Sequence, residues 1–312
     1  MEKILITGGA GYLGSVLTQH LLNEGYYVTI LDSLRNNQTS ALHLFRNENF
    51  KFVFGDVRDK EKLQSLVMEN DVVIPLAAIV GMPACKANPQ LAIDTNYNQI
   101  LNILEVITKE QKIVLPNTNS QYGSSDSIIT EESSFKPLSL YAETKCDAEN
   151  AVLNSGNGVV LRLATVFGVS PKMRLDLLVN NFIYKALDDG YLVLFESHFK
   201  RNYIHVQDIA RTFQFIIENY DVCNNEPFNV GLSTANLSKM ELATLIKKYV
   251  PQLVIVEEEF KKDFDQRNYI VSNEKLESKG WMPIYDLDYG VKQLIEAYPI
   301  LNHINNKNFT NL

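Results

Sequence analysis

The chain has 312 residues, of which 46% are apolar, and its formal net charge is −8. That apolar content is enough for one large domain or two, while the acidic balance argues against a surface for nucleic acid or anionic membranes. No apolar run approaches the roughly 20 residues that cross a bilayer, and no secretory signal is visible. We therefore expect a cytoplasmic protein with its cysteines (Cys85, Cys146 and Cys223) reduced and with no metal site.

A glycine-rich turn joins the first predicted strand to the first predicted helix. The apolar run 4–6 predicts a buried strand, and Gly8, Gly11 and Gly14 follow before an amphipathic pattern begins. Strand, glycine turn and helix in this order are typical of a dinucleotide-binding βαβ unit, although a flexible loop is the alternative. We expect Gly8 to permit the turn, Gly11 to let a pyrophosphate approach the helix N-terminus, and Gly14 to let the helix pack on the strand.

The second apolar run, 27–31, ends at Asp32, eighteen residues beyond Gly14. A carboxylate at this place is expected to hold the hydroxyls of the adenosine ribose. It would repel a 2′-phosphate, which favours NAD over NADP, although Arg35 lies close enough to keep NADP open.

Two further strands are predicted, at 51–54 and at 71–78. Asp56 follows the first of them, where it either accepts from the adenine amine or caps a helix that starts near Asp59 and runs over 60–69. The second ends in the small residues Ala77 and Ala78, which would let a ribose or a phosphate come close.

A long helix is then predicted from Gln90 to Lys109, with Asn96 inside it. An asparagine is unfavourable within a helix, so we expect Asn96 either to face solvent or to hydrogen-bond the next buried strand, 112–115. The alternation of strands and helices up to this point predicts a parallel, doubly wound sheet that is covered on both faces.

Residues suited to proton transfer follow the fifth strand. Thr118 lies in a hydroxyl-rich turn at its carboxyl end, and Tyr141 and Lys145 lie four residues apart, on one face of a predicted helix. A phenol with a pKa of about 10 is a poor base at neutral pH, but a nearby ammonium and a cationic nicotinamide lower that pKa. We expect Tyr141 to take a proton from an alcohol that Thr118 holds in place.

In combination these features resemble the extended short-chain dehydrogenases/reductases of the nucleotide-sugar epimerase/dehydratase group. The resemblance spans residues 1 to about 300. The residues that carry it are Thr7–Gly14, Asp32, Gly55–Val57, Leu76–Ala78, Asn96, Thr118, Tyr122–Gly123, Tyr141, Lys145 and Arg201–Val206.

The resemblance implies an α/β fold, in which a Rossmann doubly wound parallel sheet carries a smaller C-terminal α/β substrate lobe. The NAD-binding domain would cover 1–165, with the chain returning to it around 200–230. The nucleotide-sugar lobe would lie mainly in 166–300, and 301–312 would be a loose tail. The group is usually dimeric, and a homodimer here would form through the helices that contain Asn96 and Tyr141.

The resemblance also implies residue roles, with Tyr141 as the base and Lys145 binding the nicotinamide ribose. The residues expected to hold NAD are Gly8, Gly11, Tyr12, Leu13, Gly14, Asp32, Ser33, Asn36, Asp56, Val57, Leu76, Ala77, Ala78, Asn96, Tyr141 and Lys145. Those expected to bind the nucleotide-diphosphate sugar are Thr118, Asn119, Thr165, Arg174, Asn180, Arg201 and Arg267.

The cations of the second half differ in how strongly they indicate a diphosphate. Arg201 aligns with the nucleotide-phosphate arginine of the group, and a guanidinium fork suits a diphosphate. Arg267, in the run Asp265-Gln266-Arg267, is the second candidate. Ordinary surface solvation is the alternative for each of these cations. At Thr165 many relatives place an asparagine, and we expect His205 to be a hydrogen-bonded core histidine.

The turn after the fifth strand bears on the outcome of the reaction. Dehydratases of this group use a Thr-Asp-Glu run for the loss of water, but here the run is Thr118-Asn119-Ser120, so dehydration is not expected. After oxidation at C4 the enzyme would either release a 4-keto sugar or return the hydride to the other face as an epimerase. A non-catalytic NAD-binding module is the alternative from another class.

Four runs favour release of the keto sugar. They are similar to those of the C4-dehydrogenases that act on a GDP-linked heptose in capsule synthesis, which would make the substrate a GDP-sugar. The runs are 78–86, 116–123, 162–177 and 201–206.

Overall fold

The computed structural model describes residues 1–258 and 267–303. The strands are β1 (Lys3–Thr7), β2 (Tyr27–Asp32), β3 (Phe50–Phe54), β4 (Val72–Pro75), β5 (Lys112–Thr118), β6 (Ile128–Ile129), β7 (Val159–Leu163), β8 (Thr165–Phe167), β9 (Tyr191–Phe195), β10 (Lys200–His205), β11 (Pro227–Val230), β12 (Asn236–Ser238), β13 (Val254–Glu258) and β14 (Ile270–Val271). The helices are α1 (Tyr12–Asn23), α2 (Lys60–Met68), α3 (Met82–Ala87), α4 (Pro89–Ile93), α5 (Gln99–Leu104), α6 (Leu140–Asn154), α7 (Leu178–Asp188), α8 (Val206–Glu218), α9 (Tyr220–Cys223), α10 (Lys239–Tyr249), α11 (Glu274–Ser278) and α12 (Leu287–His303).

Seven parallel strands form the central sheet, in the order β3-β2-β1-β4-β5-β7-β11. Successive side chains of β1 enter different cores: Ile4 and Ile6 pack into one, and Leu5 packs into the other. Because side chains alternate across a strand, a sheet with an apolar layer on each face requires such continuous apolar runs. The prediction of a doubly wound parallel sheet is confirmed.

The second half of the chain adds smaller sheets and also returns to the large one. Strand β10 pairs in parallel with β8 and antiparallel with β12, while β9 pairs with β13 and β6 pairs with β14. Strand β11 is an edge strand of the central sheet beside β7, and α8 packs against α1. Among the described residues, no helix is both long enough and apolar enough to cross a membrane.

Two predicted element boundaries are wrong. Strand β4 ends at Pro75 rather than at residue 78, because the Leu76 amide turns back to donate to the Ile74 carbonyl (3.0 Å). The predicted helix over 90–109 is instead α4, a π-helical turn over Asp94–Asn98, and α5, which ends at Leu104. At the C-terminus, α12 includes 301–303 of the predicted loose tail, and 304–312 lie outside the described residues.

Candidate active site

The glycine turn after β1 is shaped by contacts that leave no room for side chains. Gly8 has φ = +71°, and a Cβ there would lie 2.8 Å from the Ala77 Cα. A Cβ on Gly14 would lie 2.3 Å from the Gly8 carbonyl oxygen, so α1 packs directly on the turn. Gly11 is the N-cap of α1 and has no side chain to satisfy the free amides of the first helical turn. This cradle fits the pyrophosphate of a dinucleotide.

Tyr12 is the first residue of α1 and directly follows the glycine turn. The Tyr12 hydroxyl is buried and donates to the Gly168 carbonyl (2.8 Å), and burial raises its pKa. The Tyr12 side chain is thus held by the protein, while its backbone amide belongs to the first turn of α1, which has no helical acceptor, beside the half-buried Leu13.

Asp32 fixes the glycine turn to the end of β2. Its carboxylate accepts from the amides of Ala10 (3.0 Å) and Leu34 (2.8 Å) and from the Gln38 side chain (3.1 Å). The group is 7% exposed, and burial raises its pKa. A carboxylate oriented by backbone amides at this edge fits the role of holding ribose hydroxyls. Ser33 beside it is exposed.

Asp56 does not cap α2. Asp59 is the N-cap and accepts from the Lys62 amide (3.2 Å), whereas Asp56 pairs with Arg58 (2.7 Å), which lowers its pKa. The carboxylate of Asp59 lies within reach of the first free helical amides, which decides the cap. The other interpretation, that Asp56 and its buried neighbour Val57 face an adenine, stays a prediction.

Asn96 neither faces solvent nor hydrogen-bonds the strand β5, so both expectations from the sequence are wrong. Its side chain is 1% exposed, accepts from the Ile79 amide (2.8 Å), and donates to the Ile79 carbonyl (3.1 Å) and to Thr144 Oγ1 (3.2 Å). The π-helical turn places it inward, toward the loop after β4 and not toward the next strand. Asn96 therefore ties the loop that follows the half-buried residues 76–78 to the helix of Tyr141.

Gln99, which was not identified from the sequence, holds the same loop. Its amide donates to the Ala77 carbonyl (2.5 Å) and its oxygen accepts from Thr7 Oγ1 (3.3 Å). The signal that the sequence offers is its spacing, because Gln99 lies three residues, about one helical turn, after Asn96.

Tyr141, Lys145 and Thr118 come together at the carboxyl end of β5. Ser139 caps α6 through the Ala142 amide (3.3 Å), which places Tyr141 in the first turn of the helix. The Tyr141 hydroxyl lies beside the side chain of Thr118, the last residue of β5, whose own hydroxyl donates to Ser120 Oγ (3.0 Å). Lys145, 5% exposed, donates from Nζ to the Pro116 carbonyl (2.5 Å) of the same strand.

The electrostatics of the phenol differ from the expectation. Burial raises the pKa of Tyr141, and the charges of Arg174 and Arg267 and the neighbouring Thr118 hydroxyl oppose that rise. The expected cation, Lys145, bonds the Pro116 carbonyl, and burial lowers its own pKa to about 8. In the protein by itself, the arginines of the second half therefore provide the cationic field at the phenol.

Three predicted substrate residues lie along the chain after β7. Arg174 forms a bidentate pair with Asp176 (2.5 and 3.0 Å). Asn180 is 1% exposed and bonds the Gly168 amide (3.1 Å) and the Arg174 carbonyl (2.9 Å), so its side chain shapes this turn. Thr165 is half-buried on β8.

The remaining predicted substrate residues lie in different surroundings. Arg201 is 2% exposed and stacks on the ring of Tyr269 (5.6 Å). Arg267 donates to Ser120 Oγ, two residues after Thr118, while 265 and 266 lie outside the described residues. Asn119 is 1% exposed, and neither atom of its amide has a hydrogen-bond partner within the described chain. The structure thus brings Arg174, Arg267 and Asn119 to the Tyr141 end of the sheet.

The other histidines and cysteines do not form a second centre in the described residues. His205 is fully buried and bonds Gln293 (3.0 Å), as predicted for a core histidine. The three cysteines are free and buried. Over 1–258 and 267–303, no group of three or more metal-ligating side chains is present.

Comparison with known proteins places this geometry in a family. The chain is 26% identical over 314 residues to the low-salt glycan biosynthesis protein Agl12 of Haloferax volcanii, covering 95% of this chain and 98% of that protein. It is 28% identical over 305 residues to a putative UDP-glucose 4-epimerase of Methanocaldococcus jannaschii, covering 94% and 97%.

The fold is also that of a solved structure, the UDP-glucuronic acid 4-epimerase of Bacillus cereus in complex with UDP-glucuronic acid and NAD. The TM-score is 0.84 at 23% identity, over 96% of this chain and 99% of that one. Residues 4–231 match the profile of the NAD dependent epimerase/dehydratase family, which confirms NAD as the cofactor. The chain belongs to that family.

Proposed function

We propose that the protein oxidises a nucleotide-activated sugar at C4 and releases the 4-keto sugar, in the biosynthesis of a surface polysaccharide. The proposed substrate is GDP-D-glycero-α-D-manno-heptose. The observation that carries the oxidation is the clustering of the Tyr141 and Thr118 side chains with the buried Lys145, at the edge of the sheet where the dinucleotide cradle also lies.

The residues of this site divide the work of the proposed reaction. Thr118 orients the C4 hydroxyl, and Tyr141 as phenolate takes its proton. The charges of Arg174 and Arg267 favour that phenolate against the effect of burial. NAD, when bound, supplies the hydride acceptor. Its pyrophosphate would lie over the cradle of Gly8, Gly11 and Gly14, its adenosine ribose against Asp32, and its nicotinamide ribose against Lys145.

Release of a keto sugar, rather than loss of water, is supported by the turn after β5. A dehydration needs an acid and a base beside the oxidised carbon, and the residues that follow Thr118 are Asn119 and Ser120. Neither side chain titrates in the physiological range.

The identity of the sugar rests on the resemblance of the four runs 78–86, 116–123, 162–177 and 201–206. They are similar to those of the GDP-D-glycero-α-D-manno-heptose C4-dehydrogenase of Campylobacter capsule heptose synthesis. The similarity to a glycan biosynthesis protein supports the broader assignment to sugar-nucleotide metabolism.

The test uses purified protein, NAD and a panel of GDP-, UDP-, CDP- and dTDP-sugars that includes the GDP-heptose. Mass spectrometry is expected to find a product that lacks two hydrogens, formed fastest from the GDP-heptose. Equal rates with a UDP-hexose would refute the proposed substrate, and the absence of any oxidised product would refute the oxidation.

A 4-epimerase is the second candidate, because similar proteins carry that name. A substrate deuterated at C4 separates the two outcomes. An epimerase returns an isomer that keeps the deuterium, whereas a dehydrogenase releases a keto sugar without it.

We also propose a homodimer that forms through α6 and the helices around Asn96. Light scattering of the purified protein tests it, and a monomer mass at micromolar concentration would contradict it.

A further inference from the structure

A buried ion pair lies next to the turn 118–120, which we call the catalytic turn. Glu149 and Arg162 are 1% and 4% exposed, and both guanidinium contacts go to Glu149 Oε1, from Nε (2.9 Å) and Nη2 (2.5 Å). A buried ion pair is weak evidence for stability, because the desolvation of two charges offsets their attraction. Stability alone therefore does not explain why the pair lies at this position.

The second oxygen of Glu149 holds the segment that carries Thr118. Glu149 Oε2 accepts from Asn117 Nδ2 (2.5 Å) and from Gln121 Nε2 (2.9 Å), the residues on either side of the catalytic turn. Asn117 Oδ1 in turn accepts from the Thr118 amide (3.0 Å). The carboxylate thus fixes the backbone on which the Thr118 hydroxyl is carried.

The same carboxylate belongs to the helix of the base. Glu149 lies one turn after Lys145 and two turns after Tyr141 on α6. Asn117 Nδ2 also donates to the Lys145 carbonyl (3.2 Å), so strand and helix are joined at two places.

Arg162 anchors this assembly to the central sheet. It lies on β7, and its Nη1 donates to the Tyr122 hydroxyl (2.6 Å) and to the Glu131 carbonyl (2.8 Å). The Tyr122 hydroxyl continues to Asn229 Oδ1 (2.7 Å) on β11. Strands β5, β7 and β11 and helix α6 therefore meet in one satisfied polar network.

We propose that the Glu149–Arg162 pair, with Gln121, is a positioning unit that sets the place of the Thr118 hydroxyl relative to that of Tyr141. The proposal rests on the proposed function for its kinetic consequence. The unit itself contacts neither substrate nor cofactor, and those contacts belong to the residues named under the proposed function. Without the unit, the turn after β5 is free to shift against α6, and a displacement of about 1 Å at such a site can cost about 100-fold in rate.

The test compares Glu149→Gln and Gln121→Met with Asp208→Asn. Gln121→Met retains the volume and the Glu149 charge but removes the donor to Glu149 and the acceptor of Asn117 Nδ2 (3.0 Å), and so serves if Glu149→Gln does not fold. Asp208 is a matched control, since it is fully buried and accepts from Arg211 and from the amides of Ile284 and Tyr285, away from the site.

The first readout needs no substrate. Tyrosinate absorbance of each NAD-loaded variant, minus that of the same variant carrying Tyr141→Phe, gives the titration of Tyr141 alone. Because the neighbouring Thr118 hydroxyl lowers its pKa, the midpoint is expected to move to higher pH in Glu149→Gln and Gln121→Met. Of the groups around the phenol, Arg174, Arg267 and Cys85 are unchanged in both variants, and Gln121→Met also retains the Glu149 charge that raises the pKa of Lys145.

The second readout is kinetic. At a temperature where each variant is folded, kcat is expected to fall about 10- to 100-fold in the two site variants, with KM changed far less, and to stay at the wild-type value in Asp208→Asn. An unmoved Tyr141 midpoint would overturn the proposal, even if the wild type oxidises no sugar. A shift of the same size in Asp208→Asn would reduce the effect to loss of stability and also overturn it.

Discussion

The cofactor cradle and the substrate-side cations are built in different ways. At Gly8–Gly14 the backbone makes the site, because a Cβ added at Gly8, Gly9 or Gly14 would lie 2.3–2.8 Å from its nearest neighbour. On the other side, Arg174 is paired with Asp176, and Arg267 donates to Ser120. Under the proposed function, the cradle needs no rearrangement to take a pyrophosphate, whereas a diphosphate would have to displace Asp176 and Ser120 from the two arginines. The affinity for the proposed substrate would then include the cost of breaking these contacts.

The largest expected effect is at Tyr141, where the two regions meet. Tyr141→Phe removes the phenolate and leaves the packing of α6 intact. We expect kcat to fall by about 1,000-fold, the scale of a lost general base, while NAD still binds. Steady-state kinetics and a cofactor-binding titration measure the two effects separately.

Tyr203→Phe is the matched control for this variant. Tyr203 is fully buried, and its hydroxyl has no hydrogen-bond partner among the described residues. Its loss is expected to leave kcat unchanged. Unaltered turnover in Tyr141→Phe would instead favour a non-catalytic module that binds NAD.

The second effect tests the close packing of the cradle. In Gly14→Ala the new Cβ would lie 2.3 Å from the Gly8 carbonyl, so α1 must move away from the turn. Overpacking of this kind costs about 1–3 kcal/mol, and NAD affinity is expected to fall with it. Thermal unfolding and calorimetric titration measure both quantities.

Gly156→Ala is the comparison for that variant. Gly156 has φ = +74°, but nothing lies within 4 Å of the added Cβ, and the residue follows α6 far along the chain from the cradle. It is expected to lose stability through backbone strain while NAD affinity stays the same. If Gly14→Ala bound NAD normally, close packing at the turn would not matter for the cofactor.

The contrast between the two regions also explains what the sequence could predict. Gly8 and Gly14 were readable because one residue type alone meets a backbone requirement, and the apolar run of β1 was readable because both faces of the sheet are covered. The positive φ of Gly8 and the close contact between Gly14 and Gly8 arise within one short segment, and the apolar run of β1 can be recognised within a few residues. The doubly wound sheet followed from them.

The residues that the sequence misplaced depend on distant partners. The direction of Asn96 is set by a π-helical turn and by its hydrogen bonds with Ile79 and Thr144, which no spacing rule indicates. The cationic field at Tyr141 comes from Arg174 and Arg267, far along the chain, and not from Lys145 on the same helix. Such long-range contacts appear only once the chain is folded.

A third effect concerns Asp32, which belongs to the cradle but acts through a side chain. Asp32→Ala leaves the amides of Ala10 and Leu34 without their acceptor. Hydrogen bonds to a charged group are worth about 1.5–3 kcal/mol, so NAD is expected to bind at least about 10-fold more weakly. Asp59→Ala also removes a carboxylate that accepts from a backbone amide, here as the N-cap of α2, and is expected to keep NAD affinity. Equal losses of affinity in both variants would argue against a role of Asp32 in binding the ribose.

The smallest expected effect is a shift of the pH profile caused by the substrate-side cations. Arg174→Gln removes a charge that lowers the pKa of Tyr141, so the phenolate forms at higher pH. Because the base is active when deprotonated, the acid limb of the kcat profile is expected to move upward, with slower turnover at neutral pH and recovery in alkaline buffer. Asp176→Asn breaks the same ion pair but keeps the Arg174 charge. The acid limb should then stay in place or move down. A common upward shift in both variants would mean that the geometry of the pair, and not the charge of Arg174, acts on the phenol.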